Sequence, residues 1–294
     1  MSLTLCNPWV AEGNVSGMSV LIDTDSLGRR LAAGERTVLL DVRWKLGDPH
    51  GHDHYLAGHL PGAAYVDLEA ELAGPPSPAE GRHPLPSVDV LQAAARRWGV
   101  RDGDTVVAYD DLGGMSAARA WWLLRWAGLT DVWLLDGGLS AWTAAGGALE
   151  TGPVTPPAGD VTLRAGALPT LTASDAGALA ASGGVLLDAR AGERFRGETE
   201  PVDPRAGHIP GALSAPTADN LDAAGRFLPA DELRGRFAAL GAAGDRPVGV
   251  YCGSGVTAAH ELAALAVAGI DATLYPGSWS QWSADPDRPA ATGP

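Results

Sequence analysis

Residues 247–269 read PVGVYCGSGVTAAHELAALAVAG. PVGVY has the unbroken apolar character of a strand covered on both faces, and TAAHELAALAVAG carries apolar residues at helical spacing. CGSGVT is therefore a strand-to-helix turn, with the thiol of Cys252 at the carboxyl end of the strand. Gly253 and Gly255 permit backbone angles that other residues resist, so successive N–H groups can point inward. A thiol held over such a nest, at a helix N-terminus, is expected to react as thiolate. Val256 and Thr257 complete this loop.

The stretch has a counterpart in the other half of the chain, TVVAYDD (105–111) matching PVGVYCG (247–253). Three further pairs keep the same order: TVLLDVRW (37–44) with GVLLDARA (184–191), AGHLPGA (57–63) with AGHIPGA (206–212), and LLDGGLSAW (134–142) with TLYPGSWSQW (273–282). A period of roughly 140–150 residues is too long for a solenoid unit and suits a duplicated domain. ETGPVTPPAGD (150–160), rich in Pro and Gly, reads as a surface linker. The domains are placed at 18–150 and 165–294. Short β-branched runs alternate with Ala/Leu-rich stretches in each half, which predicts an α/β fold: two tandem domains, each a mainly parallel sheet with helices on both faces. Ligands of such sheets gather at the carboxyl ends of the strands, where Asp41, Asp110, Asp188 and Cys252 stand.

The 294 residues suffice for two domains, and 46% hydrophobic with 19% charged residues is ordinary for globular cores. A formal charge of −14 argues against nucleic acid or anionic membrane as partner. There is no apolar run of about 18 residues and no signal-peptide pattern at the start. Residues 1–17 read as an extension before Met18. Cys6 lies in it, far from Cys252, so a reducing cytoplasm is expected. No dinucleotide fingerprint or Walker motif occurs, and no cofactor is expected. RAWWLLRWAG (119–128) reads as core and interdomain packing. The alternating His50, His52 and His54 read as solvent-facing rather than as a metal site.

Which thiolate chemistry does the loop allow? A redox site needs Cys-x-x-Cys, and zinc needs several close ligands; neither pattern is present. A cysteine phosphatase needs Cys-x5-Arg, but that position holds Ala258. A protease, which needs a base-activated thiol and an oxyanion hole, stays open on the residues alone. Sulfur transfer through a Cys252 persulfide needs one thiolate and a small cradle of donors, and fits best. The duplicated GHxPGA with a Cys-containing loop resembles the tandem-domain rhodaneses, and CGSGVTA resembles the loop of the 3-mercaptopyruvate sulfurtransferases. The thiosulfate-specific branch typically carries basic residues in place of Gly253 and Ser254.

The resemblance implies a Cys252 nucleophile, with Ser254 and a first-domain histidine, matched by His59, polarising substrate or relaying a proton. Asp48 or Asp53 would orient that histidine. It further implies that Arg194 and Arg205 bind the carboxylate of the donor, while Arg196 reads as exposed. The Asp110 that aligns with Cys252 implies a catalytically inactive first domain. The implied partners are a small-molecule sulfur donor and a thiol acceptor such as thioredoxin, or cyanide. A thiosulfate-preferring enzyme and a non-catalytic persulfide carrier remain the alternatives.

Overall fold

The computed structural model describes residues 19–294; Cys6 and the 1–17 extension lie outside them. The first half contains β1 (Leu21–Ile22), α1 (Thr24–Ala32), β2 (Thr37–Asp41), α2 (Gly51–Ala57), β3 (Ala64–Tyr65), α3 (Leu68–Glu71), α4 (Val88–Arg97), β4 (Thr105–Tyr109), α5 (Ala117–Trp126), β5 (Val132–Leu135) and α6 (Gly138–Ala144). The second contains α7 (Ala173–Ala181), β6 (Val185–Asp188), α8 (Gly192–Phe195), β7 (Leu213–Ser214), α9 (Ala230–Ala239), β8 (Val248–Tyr251), α10 (Thr257–Val267), β9 (Thr273–Leu274) and α11 (Ser278–Ala284), with a 3-10 turn at Thr217–Asn220.

Two sheets result, ordered β1-β5-β4-β2-β3 and β7-β6-β8-β9. Every pairing between these strands is parallel. A parallel bridge from Thr170 to Leu274 stands where β1 stands in the first sheet. The central strands β2, β4, β6 and β8 are almost wholly buried, as continuous apolar runs require.

The repeated sequence motifs turn out to be one structural device built twice. Asp41 at the end of β2 holds Arg43 at 2.8 Å, and Arg43 donates onward to the Gly58 carbonyl at 3.1 Å. Asp188 and Arg190 do the same toward the Gly207 carbonyl at 2.6 Å. The residue after each GH histidine gives its N–H to a strand tyrosine, Leu60 to Tyr109 at 2.9 Å and Ile209 to Tyr251 at 3.1 Å. Each GHxPGA turn is thus fastened to the sheet by a buried ion pair and a tyrosine hydroxyl.

One apolar cluster runs through both halves, joining Leu40, Trp121 and Leu123 to Leu187, Cys252 and Leu265. The helices that follow the two equivalent loops, α5 and α10, pack against each other, and nearly all their residues are buried. The linker is not a loose tether. Gly159 donates to the Arg96 carbonyl at 2.7 Å, Val161 is 1% exposed, and a Cβ on Gly159 would run into the Val100 carbonyl.

Candidate active site

Cys252 leaves β8 with 1% of its surface exposed. Its N–H donates to Ser278 Oγ at 3.1 Å, and the Gly255 N–H donates to its Sγ at 3.1 Å. Gly255 has φ +80°, and a Cβ there would lie 2.5 Å from the Pro276 carbonyl oxygen, so glycine is required for this donor to reach the sulfur. The PGSWS segment clamps the loop from beneath: Trp279 N–H to the Cys252 carbonyl and Ser280 N–H to the Gly253 carbonyl, each at 2.9 Å. Ser278 adopts φ +52°, a left-handed conformation seldom taken by a residue with a side chain. The first half has Gly138 at φ +54° in the equivalent place.

Arg119 of α5 is fully buried, and its Nη1 donates to the Gly255 carbonyl at 3.1 Å. Burial lowers its pKa to about 10, and its coulombic interaction with Cys252 opposes the fall. The same guanidinium holds the carbonyls of His83 (2.9 Å) and Pro84 (3.2 Å), and so ties the thiol loop to a first-half loop. His83 Nδ1 lies 2.8 Å from Ser254 Oγ, with Trp44 edge-on to the imidazole at 5.4 Å. Burial, then the charges of Arg119 and Arg82, push the pKa of His83 down to about 4, so the ring is neutral at pH 7.

A cleft of about 500 Å³ opens above the thiol, lined by Trp44, Arg82 and Met115 from the first half and Arg190, Arg194 and Thr217 from the second. Ser254, Gly253, Val256 and Thr257 face it as well, while Gly255 acts from behind through its N–H. Arg194 is held by Glu200 at 2.6 Å and Asp203 at 3.2 Å.

Two residues expected here are elsewhere. His59 is fully buried, stacked on Tyr55 at 4.0 Å, with Nδ1 2.8 Å from the Tyr55 carbonyl. His208 repeats this on Phe195, at 3.7 Å and 2.8 Å. Both histidines therefore serve the turn in which they sit. Asp48 and Asp53 contact His54 and His50, not His59. Arg205 donates to the carbonyls of Trp282, Ser283, Asp285 and Arg288. It closes the C-terminal end of α11, where free carbonyls attract a cation. Arg196 is exposed and paired with Glu198.

The histidine that does reach the site, His83, was missed because GRHPLP (81–86) belongs to no periodic pattern. A signal was nevertheless available: the loop has a shorter counterpart after the second GHxPGA, GRFLP (225–229), which puts Phe227 where the first loop has a histidine. The first loop crosses the boundary, with Arg82 N–H on Ser280 Oγ at 3.1 Å and Gln281 donating to the Ala79 carbonyl at 2.6 Å.

In the first half, the equivalent nest is filled by its own side chain. The Asp110 carboxylate accepts N–H bonds from Leu112, Gly114, Ser116 and Ala117 at 2.7–2.9 Å. It is fully buried, which raises its pKa against these four donors.

Fold and loop together define a tandem α/β protein in which one half presents a thiol and the other contributes part of the cleft. The Rhodanese-like domain matches residues 23–145 and again 172–285, so the chain belongs to the rhodanese family. A relative from Mycobacterium tuberculosis, SseB, is 52% identical over 280 residues, covering 93% of this chain and 97% of its own; its name places it among thiosulfate sulfurtransferases. A relative from Pseudomonas aeruginosa is 49% identical over 281 residues, covering 93% and 98%, and is named as a 3-mercaptopyruvate sulfurtransferase. Among solved structures, SseA from Escherichia coli, described as a 3-mercaptopyruvate sulfotransferase with the rhodanese fold, superposes with a TM-score of 0.79 at 34% identity, over 89% of this chain and 99% of that one.

Proposed function

We propose that the chain is a sulfurtransferase that moves sulfur from 3-mercaptopyruvate through a Cys252 persulfide to a thiol acceptor such as thioredoxin, or to cyanide, in the cytoplasm. The observation that carries this reading is Cys252 Sγ on the floor of the cleft, with the Gly255 N–H on the sulfur and the Ser254–His83 pair beside it. The thiolate attacks the donor's sulfur, forming an S–S bond while the S–C3 bond breaks and its electrons pass to C3 as the enolate of pyruvate. The proton leaving the donor's thiol returns to C3, and Ser254 with neutral His83 provides the relay. The persulfide then carries the charge over the nest of N–H groups. Arg194 holds the carboxylate of the donor.

The domains of this reading are 18–150 and 165–294, the first catalytically inactive. Asp110 occupies its nest with a carboxylate, which cannot accept sulfur and leaves no space for an anion. The loop offers Gly253 and Ser254 where thiosulfate enzymes place cations, which favours 3-mercaptopyruvate as donor. The two relatives carry names from both donor classes, so the donor is the point to measure. Incubation with 3-mercaptopyruvate is expected to add about 32 Da at Cys252, the mass of one sulfur, and Cys252→Ser should remain folded but gain nothing. Mass unchanged in the unmodified protein would defeat the assignment. A higher kcat/KM for thiosulfate than for 3-mercaptopyruvate, with one acceptor, would defeat the donor choice alone.

A further inference from the structure

Helices α5 and α10 begin alike, SAAR (116–119) against TAAH (257–260), and they exchange one bond each across the domain boundary. Arg119 of α5 donates to the Gly255 carbonyl at 3.1 Å, and His260 of α10 meets the Gly113 carbonyl at 3.2 Å. Arg119 thereby steadies the thiol loop; His260 steadies the walls of the cleft. A carbonyl only accepts, so Nε2 of the fully buried His260 carries the proton, and Nδ1 accepts from Thr217 Oγ1, 2.7 Å away. Burial lowers the pKa of this ring to about 4, so it is neutral at pH 7, and Phe227 stacks on it at 4.5 Å. One imidazole thus spans from the Gly113 loop of the first half to Thr217 of the second. Met115 of that loop and Thr217 both line the cleft.

Glu261, the next residue of α10, is also fully buried and holds the same wall. Asn220 Nδ2 donates to Glu261 Oε2 at 2.6 Å and to Thr217 Oγ1 at 3.4 Å. Arg236 of α9 reaches Glu261 Oε1 at 3.4 Å and donates to the Pro216 carbonyl at 2.9 Å. Pro216, Thr217, Ala218 and Asp219 form one side of the cleft.

We propose that His260 and Glu261 are positioning residues of the reaction: from the helix that follows the nucleophile loop, they fix the Pro216–Asp219 wall at its spacing from Met115 and so set how tightly the donor is held. This rests on the sulfurtransferase reading above. Taking an imidazole and a carboxylate out of water costs free energy that leucines in the same space would avoid, so the pair serves placement rather than packing. Glu261 is faced by Arg236 from α9 and by Asn220 and Thr217 from the 3-10 turn, with neutral His260 beside it on α10; Asp219 approaches Arg236 at 3.8 Å. Burial raises Glu261 to about 7, against the pull of Arg236, Asn220 and Thr217. Its charge, and with it the hold on Arg236, is therefore nearly complete at pH 8 and largely gone at pH 6.

Steady-state kinetics with 3-mercaptopyruvate test the proposal. T217V keeps the shape of the side chain and removes the hydroxyl that joins the wall to His260 and Asn220. KM should rise about fivefold or more with kcat changed only a few-fold, and T217S, which restores the hydroxyl, should recover most of the loss. E261Q keeps the shape of Glu261 but neither titrates nor carries charge. The ratio of parent to E261Q in kcat/KM cancels the titration of the donor and of Cys252. That ratio should rise from near one at pH 6 to about fivefold or more at pH 8. KM in T217V within about twofold of the parent, or a ratio that stays constant across that range, overturns the positioning role. Should E261Q fail to fold, the contrast of T217V with T217S decides. Persulfide absent from the unmodified protein would refute the sulfurtransferase reading instead. In that event the rate of Cys252 alkylation by iodoacetamide, followed by peptide mass, decides the wall: several-fold faster reaction in T217V supports it, and equal rates overturn it.

Discussion

Cys252, Ser254 and His83 come from two halves of the chain, and the 2.8 Å contact between the last two links the nucleophile's loop to the other domain. If that pair relays the proton to C3, Ser254→Ala should lower kcat for 3-mercaptopyruvate by on the order of 10², with persulfide still forming slowly under single turnover. An undiminished kcat would remove Ser254 from the mechanism. The low pKa of His83 has a second consequence, in stability. Its folded value of about 4 lies below an unfolded value of about 6.5, so the unfolded chain binds more protons between them. Stability from this group is complete above the unfolded pKa and declines as pH falls through that window, by about 3 kcal/mol at 1.36 kcal/mol per unit. Asp41 and Glu261 act with the opposite sign, because burial raises them to about 6 and about 7 and the folded protein protonates them first. The contrast between variants isolates His83: urea unfolding at pH 7 and pH 4 should show His83→Asn losing about 3 kcal/mol less than the parent. An identical loss in both proteins would contradict the neutral, buried imidazole.

At the scale of elements, the active loop depends on the strand-to-helix turn between β8 and α10 and on the PGSWS segment beneath it. Gly255→Ala would force a Cβ against the Pro276 carbonyl at φ +80°. A cost of about 2–4 kcal/mol is expected, measurable as a fall in Tm together with loss of persulfide formation. Ser278 separates strain from hydrogen bonding. Ser278→Gly loses the acceptor for the Cys252 N–H but relaxes φ +52°, whereas Ser278→Ala loses the acceptor and keeps the strain. The alanine variant should therefore be the less stable by about 1 kcal/mol. The reverse order in denaturant titrations would show that no strain is stored there. The GHxPGA turns belong to this scale as well. Their histidines, arginines and tyrosines fasten loops to sheets in both halves, which accounts for their repetition.

For the whole molecule, the apolar cluster that passes from Leu40 to Leu265 makes the two halves one cooperative body. Helices α5 and α10 are buried against each other, and neither half could expose its helix to water without losing that packing. Denaturation followed by tryptophan fluorescence and by far-UV circular dichroism should give coincident single transitions. Two separated transitions would mean that the halves fold independently despite the shared core. Among the described residues, no helix is long and apolar enough to cross a membrane.

The sequence by itself determined the duplication, the parallel α/β architecture and the position of the thiol. These follow from local signals: buried strands read as apolar runs, helices as period, and the turn as glycines beside Cys252. The family resemblance also pointed to Arg194, whose side chain lines the cleft beside Cys252. Only the tertiary structure decided which histidine and which second arginine share the cleft. His59 and Arg205 sit in or near a repeated motif, but Nδ1 of His59 engages the Tyr55 carbonyl and the Arg205 guanidinium engages carbonyls at the α11 end. His83 and Arg82 lie 171 and 170 positions before Ser254 and Cys252, on a loop without periodicity. Sequence pattern records what a residue does for its own element. Contacts between side chains on loops of different domains depend on how the sheets are set against each other, which the shared core imposes and local pattern does not encode.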